Sequence, residues 1–164
     1  MTIIDKGADL SLCGKYRYRL WRYWASEVHP RATYIMLNPS TADADKDDPT
    51  IRKCRGFAER LGFGGFDVVN LYAFRATDPA DLKRNGYPRS TFEDRHILKA
   101  CEGRTVICAW GAHARGLQRR VDVLDMLSMA AVKTFALAFS DDGTPRHPLM
   151  LSYDEGAELK PYRI

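Results

Sequence analysis

The sequence predicts a three-layer α/β/α sandwich on a mostly parallel central sheet. Short, nearly continuous apolar runs recur along the chain, the form taken by strands buried on both faces. Between two of them stands an amphipathic segment with apolar residues three and four apart, so the order is strand, helix, strand. A crossover of that kind joins parallel strands. At 164 residues, with 45% hydrophobic and 28% charged side chains, the chain has material for one core. A single α/β domain over residues 1–164 is therefore expected.

Each element has its own signal. Tyr16-Arg17-Tyr18-Arg19-Leu20 alternates large side chains with arginine and reads as a half-buried strand with its arginines on one face. Residues 33–37 form a buried strand that stops at Asn38-Pro39-Ser40-Thr41, where proline has no N–H for the ladder. Asp48-Pro49 starts a helix, aspartate as cap and proline first in the turn. Ile51, Cys54, Phe57, Ala58 and Leu61 form its apolar stripe, and Gly62 closes it. Residues 66–72 are the next buried strand. Residues 75–89 contain Asp78-Pro79, Asn85-Gly86 and Pro88 and read as loop with one helical turn. Ser90 or Thr91 caps a helix running to Cys101, residues 105–110 form another strand broken by Gly111, and residues 112–127 read as helix. Residues 134–139 are the last core strand.

Composition excludes several classes. No apolar run approaches the ~20 residues that span a bilayer, and Met1-Thr2-Ile3-Ile4-Asp5 has no basic-then-apolar leader, so a cytoplasmic protein away from membranes is expected. Cys13, Cys54, Cys101 and Cys108 form no C-x-x-C pair and read as free, buried or half-buried thiols. A net charge of +4 permits phosphate contact without demanding it. The clusters Arg17, Arg19, Arg22 and Arg115, Arg119, Arg120 read as solvated faces, with phosphate patches as the alternative. No P-loop, G-x-G-x-x-G or G-x-S-x-G motif occurs.

Ligands of open α/β sheets bind beyond the carboxyl ends of the strands. That rule selects residues 38–41, 70–74, 111–113 and 141–148. Asn38 offers a donor and an acceptor, and Ser40 and Thr41 could hold a water or an anion, although the segment also suits a plain strand-ending turn. Asn70 interrupts an apolar strand near its end, where a buried amide either faces a ligand or pins a loop. His147 sits before Pro148 in a turn-rich segment, and His113, His96 and His29 attract no role. Asp43, Asp45, Asp47 and Asp48 read as a solvated acidic loop, since their spacing lacks the glycine and terminal glutamate of a calcium loop. No metal and no cofactor are expected.

Two resemblances add to this reading. Tyr16-Arg17-Tyr18-Arg19-Leu20, Met36-Leu37-Asn38-Pro39-Ser40-Thr41-Ala42-Asp43, Asp48-Pro49-Thr50-Ile51-Arg52 and Val69-Asn70-Leu71 resemble a bacterial and phage family filed as a domain of unknown function. The order of motifs also resembles the uracil-DNA glycosylase superfamily. Leu37-Asn38-Pro39 is similar to its water-activating Gly-x-(Asp/Asn)-Pro segment, Val68-Val69-Asn70 to its base-reading strand end, Ala109-Trp110-Gly111-Ala112 to its Leu-Trp-Gly strand, and His147-Pro148 to the start of its His-Pro-Ser-Pro motif. Leu37 replaces the usual glycine, and Leu149-Met150-Leu151-Ser152 lacks the second proline.

That second resemblance implies a uracil-DNA-glycosylase-like sandwich and an N-glycosidic-bond hydrolase acting on a base in DNA. Asn38 would position water, His147 would donate to a carbonyl oxygen of the base, and Asn70 would bond its Watson–Crick edge. Ser40, Thr41 and Arg52 could meet a phosphate, and Pro39 and Tyr72, which flank the asparagines, complete the expected substrate-binding set. Nucleic acid or a nucleotide is the expected partner. An enzyme on free nucleosides or nucleotides and a non-catalytic binder remain the alternatives.

Overall fold

The computed structural model describes residues 1–163. β1 (Asp5–Leu10) and β2 (Arg17–Tyr23) form an antiparallel pair on one flank. β3 (Ala32–Met36), β4 (Gly65–Asn70), β5 (Thr105–Cys108) and β6 (Thr134–Ala136) make a parallel core, and β7 (Lys160–Pro161) closes the other edge antiparallel to β6. Their order across the sheet is β1-β2-β4-β3-β5-β6-β7. β3 is buried along its whole length, as its apolar run requires.

Helix α1 (Pro49–Arg60) connects β3 to β4 and covers one face of the sheet. Its Ile51, Cys54, Phe57 and Ala58 share a core with Leu20, Tyr34, Phe66 and Val68. Helices α2 (Pro79–Arg84), α3 (Glu93–Cys101) and α4 (Gln118–Met129) belong to the opposite face, where Leu82, Ile97, Cys101, Val123 and Leu127 meet Ile35, Val69, Val106 and Cys108. Each large apolar side chain taken out of water here contributes roughly 1.5–3 kcal/mol before the ordering cost is set against it. The result is a three-layer α/β/α fold.

The parallel core is as expected, and antiparallel strands on the flanks make the sheet mixed overall; of these, β1 gives little periodic signal, with Gly7 its single fully buried residue. Several other expectations need correction. The helix expected over residues 112–127 breaks into a 3-10 turn (Ala112–Ala114) and α4, with Gly116 between them at φ +72°, a conformation that ends regular helix. The arginine clusters are solvated only in part: Arg17, Arg22 and Arg119 are buried, Arg19 and Arg120 are half-buried, and Arg115 is exposed. Nor is the acidic loop simply solvated. Asp43 accepts from the Asp45 and Lys46 N–H groups, Asp47 pairs with Arg22 at 2.8 Å, and Asp48 caps α1 by accepting from Ile51 N–H at 2.8 Å. Cys54, Cys101 and Cys108 are buried free thiols, whereas Cys13 is exposed. Among the described residues, no helix is long and apolar enough to cross a membrane.

Candidate functional site

β3 and β4 lie side by side, yet their following segments diverge. The first leads to α1 on one face and the second to α2 and α3 on the other. Such divergence opens a crevice at the carboxyl ends of the strands. A cavity of about 550 Å³ occupies it. Asn38, Ser40 and Thr41 enter from the segment after β3, Asn70 from the last position of β4, and Gly111 to His113 from the segment after β5. His147 and Leu149 line it from the C-terminal segment, and the first turn of α1 completes the wall.

Asn38 is held by its own amide. Its Nδ2 donates to the Ala76 carbonyl at 2.9 Å and to the Pro39 carbonyl at 3.1 Å. Only a nitrogen is favourable beside two carbonyl oxygens, which settles the amide orientation and leaves Oδ1 as the free group. Asn38 is thus a fixed acceptor. Asn70 is the reverse case. It is 4% exposed, and its Nδ2 meets no acceptor among the described residues. An unmet buried donor costs about 1–3 kcal/mol, a cost that a ligand in the cavity could relieve.

Trp110 is another cavity residue with an unmet donor, its indole N–H, although its ring packs 5.9 Å from Tyr162 in the core. Gly111 follows at φ +77°, and a side chain there would place Cβ 3.0 Å from the His147 Cβ. Glycine is needed twice over at this position, for the backbone angle and for the close approach of His147.

His147 accepts a hydrogen bond at Nδ1 from the Leu149 N–H at 3.2 Å, so the neutral ring carries its proton on Nε2. Desolvation is the main force that lowers its pKa to about 4; Asp48 opposes that shift and His113 reinforces it. The ring is therefore a neutral Nε2–H donor near pH 7.

Arg17 reaches the same cavity through a defect in β2. Asp9 pairs with Arg19 but Leu10 pairs with Arg17, so Tyr18 is an extra residue in the ladder. This bulge interrupts the alternation. Tyr18 stacks on His96 of α3, Arg19 bonds Asp67, and Arg17 points to the other face, where Nη1 donates to the Ala42 carbonyl at 2.8 Å. Burial lowers the Arg17 pKa to about 10, with Asp48 opposing the shift, so the group stays cationic at neutral pH. Its Nε has no partner among the described residues.

Asn38, Ser40, Thr41, Asn70 and His147 thus line one cavity, whereas Pro39, Arg52 and Tyr72 do not. Pro39 is buried and acts through its carbonyl, which accepts from Asn38 and from the Ala76 N–H. Arg52 is exposed on the outer side of α1 and donates to the Asp47 carbonyl at 2.8 Å. Tyr72 packs against Tyr87 at 5.3 Å on the α3 side, because the chain leaves the sheet after Asn70. Sequence reasoning missed Arg17, Asp48 and Trp110 as cavity residues, and it placed His113 in a candidate segment without giving it a role. Asp48 was legible as a helix cap and as part of an acidic loop, and Arg17 as part of an alternating strand and of an arginine cluster with a phosphate patch as its alternative reading. A larger, more open groove of about 1050 Å³ lies at the opposite end of the sheet beside Arg95, Lys99 and Arg104, but none of the unmet buried donors lines it.

No curated protein and no solved structure matches the chain, and no comparison links it to the uracil-DNA glycosylases. Residues 17–149 match the family described as protein of unknown function (DUF1643), and the chain belongs to that family.

Proposed function

We propose that this cavity takes up a nucleobase and that the protein hydrolyses its N-glycosidic bond, as a uracil-DNA glycosylase does with a base in DNA. The observation that supports the reading is the meeting of Asn38, Asn70 and His147, drawn from three distant stretches of chain, on one cavity. Their chemistry is complementary. Asn70 brings an amide with an unmet donor, suited to the edge of a planar base. His147 offers Nε2–H to a carbonyl oxygen of the base, where negative charge grows as the C1′–N bond breaks. Asn38 Oδ1 accepts from a water and orients its oxygen toward C1′.

Asparagine takes up no proton at neutral pH. The Asp48 carboxylate is in the same cavity and is the group to receive the proton the water loses as its C1′–O bond forms. Its charge also favours the oxocarbenium-like sugar of the transition state. The modest net charge of +4 favours a second reading, in which the same residues act on free nucleotides.

Base release read by mass spectrometry tests the proposal. The substrates are single- and double-stranded DNA carrying uracil or modified pyrimidines, together with free nucleotides. Release that is lost in folded Asn38→Ala and Asn70→Ala variants is the expected result. No release from any substrate by the folded wild type would overturn the hydrolase reading.

A further inference from the structure

Three arginines of the described chain are buried, and only two have acidic partners. Arg22 bonds Asp47 at 2.8 Å, and Arg119 bonds Asp94 at 2.6 Å. Arg17 is equally buried, at 2% exposed, but no carboxylate among the described residues stands within ion-pair distance of it. A buried cation without a counter-ion is costly, and such groups are normally paired. Arg17 is instead held by one bond to the Ala42 carbonyl, with Nε unmet, in the wall of the cavity.

Its surroundings reinforce the imbalance. Arg75 is near enough for its charge to oppose that of Arg17, and it too has no carboxylate partner among the described residues. Its side-chain hydrogen bonds are long ones, 3.4 Å to the Ser40 carbonyl and 3.4 Å to the Gly14 carbonyl, and Asp43 feels its charge without reaching ion-pair distance. The Ser40 and Thr41 residues stand in the cavity wall, and their hydroxyls are suited to an anionic oxygen. Asp48 is the one acid of the cavity wall. Its field favours the Arg17 charge, but its Oδ1 is committed to the Ile51 N–H and it forms no ion pair with Arg17. It damps the positive charge and leaves the guanidinium free to bond.

We propose that Arg17, with Arg75 beside it, is the phosphate-recognising group of this cavity, so that its ligand is a phosphorylated nucleoside and not a bare base or nucleoside. Arg52, which the glycosylase resemblance offers to a phosphate, does not line this wall. The anion site stands on the geometry of Arg17, and only the nucleoside part rests on the nucleobase reading above. A guanidinium places Nε–H and Nη–H side by side, the fork that two phosphate oxygens accept. The phosphate belongs to a free nucleotide or to a nucleic-acid strand, since a phosphomonoester and a phosphodiester both present anionic non-bridging oxygens to a guanidinium.

Calorimetry on the wild-type protein separates these cases. The probes are inorganic phosphate, ribose 5-phosphate, a set of pyrimidine nucleosides, their 5′-monophosphates, and a short single-stranded oligodeoxynucleotide. The expected result is a monophosphate bound at least tenfold more tightly than its nucleoside, with inorganic phosphate competing. Arg17→Gln should abolish that preference, Arg17→Lys should restore part of it, and Arg75→Gln should weaken it. An oligonucleotide that binds more tightly than the monophosphate identifies a strand as the source, and the reverse order identifies a free nucleotide. Ribose 5-phosphate binding as well as the monophosphates would keep the anion site and sink the nucleobase reading. Nucleoside and monophosphate binding equally, or no binding by any phosphate probe, would overturn the anion site. These wild-type comparisons hold even if Arg17→Gln fails to fold, and thermal unfolding shows whether it does.

Discussion

Arg119 and Arg17 are both buried arginines, one on each face of the sheet, and their surroundings differ sharply. Arg119 donates through Nε to the Leu71 carbonyl at 2.7 Å and through Nη2 to Asp94 at 2.6 Å. Glu93, itself 2% exposed, lies beside it and accepts from Arg89 and from the Ala73 and Ser90 N–H groups. Every buried member of that network has a partner, and the network clamps the segment that follows Asn70. Arg17 sits across the sheet with a backbone carbonyl, an unmet Nε and an open cavity. The difference separates two uses of a buried charge. One holds the scaffold and is satisfied by the protein; the other faces the site and is left for a ligand.

The largest expected effect is on stability at the closed network. Arg119→Met leaves buried Glu93 and half-exposed Asp94 with Arg89 as their one cation, and takes the donor from the Leu71 carbonyl, so it should cost about 3 kcal/mol in urea unfolding. Arg17→Met strands no carboxylate and should cost only about 1 kcal/mol. Equal losses would erase the distinction. Next comes Asn38→Asp. A carboxylate cannot donate to the Ala76 and Pro39 carbonyls, so it should destabilise by about 2 kcal/mol, which means that aspartate is no substitute for asparagine at this position.

Asp48→Ala removes the cap of α1 and should cost about 1 kcal/mol, whereas Asp48→Asn caps as well and should change stability by only a few tenths. Base release should nevertheless fall in both variants; if Asp48→Asn kept full turnover, Asp48 would be a cap alone. The smallest effect is a pH dependence at His147, whose folded pKa lies near 4 against an ordinary 6.5. As pH falls below 6.5 the unfolded chain takes up the proton first, so stability should decline between about 6.5 and 4 and level off below that. Solvent screening of the partly exposed ring reduces the loss below the figure of about 1.4 kcal/mol per pKa unit that a fully buried group would show. His147→Gln should flatten that part of the urea-midpoint profile relative to wild type.

The comparison also shows what the sequence makes legible. The strands of the parallel core announce themselves as apolar runs, and the first turn of α1 as Asp48-Pro49. Asn38, Asn70 and His147 can be picked out because they follow or end those runs, where open sheets hold ligands. Arg17 could not be. A single extra residue, Tyr18, reverses which face the arginine occupies, and alternation read along the strand gives no sign of it. Asp48 was hidden for another reason: one carboxylate caps a helix and lines a cavity, and the local pattern reports only the cap. Arg52 and Tyr72 lie close in sequence to cavity residues but on the wrong side of their elements, α1 turning Arg52 outward and the end of β4 turning Tyr72 to the other face.

One experiment addresses the contrast directly. In nitrogen-labelled protein, the Arg17 and Arg119 Nε–H, the Asn70 amide and the Trp110 and Trp24 indole N–H groups each give a signal that can be followed during titration with a pyrimidine nucleoside monophosphate. Arg17, Asn70 and Trp110 should shift together and saturably, while Arg119 and Trp24 hold still. Trp24 is the useful control, because its indole is equally unmet but stands outside the cavity. Shifts confined to Arg119 or Trp24, or none at saturating ligand, would contradict the assignment of this cavity as the site.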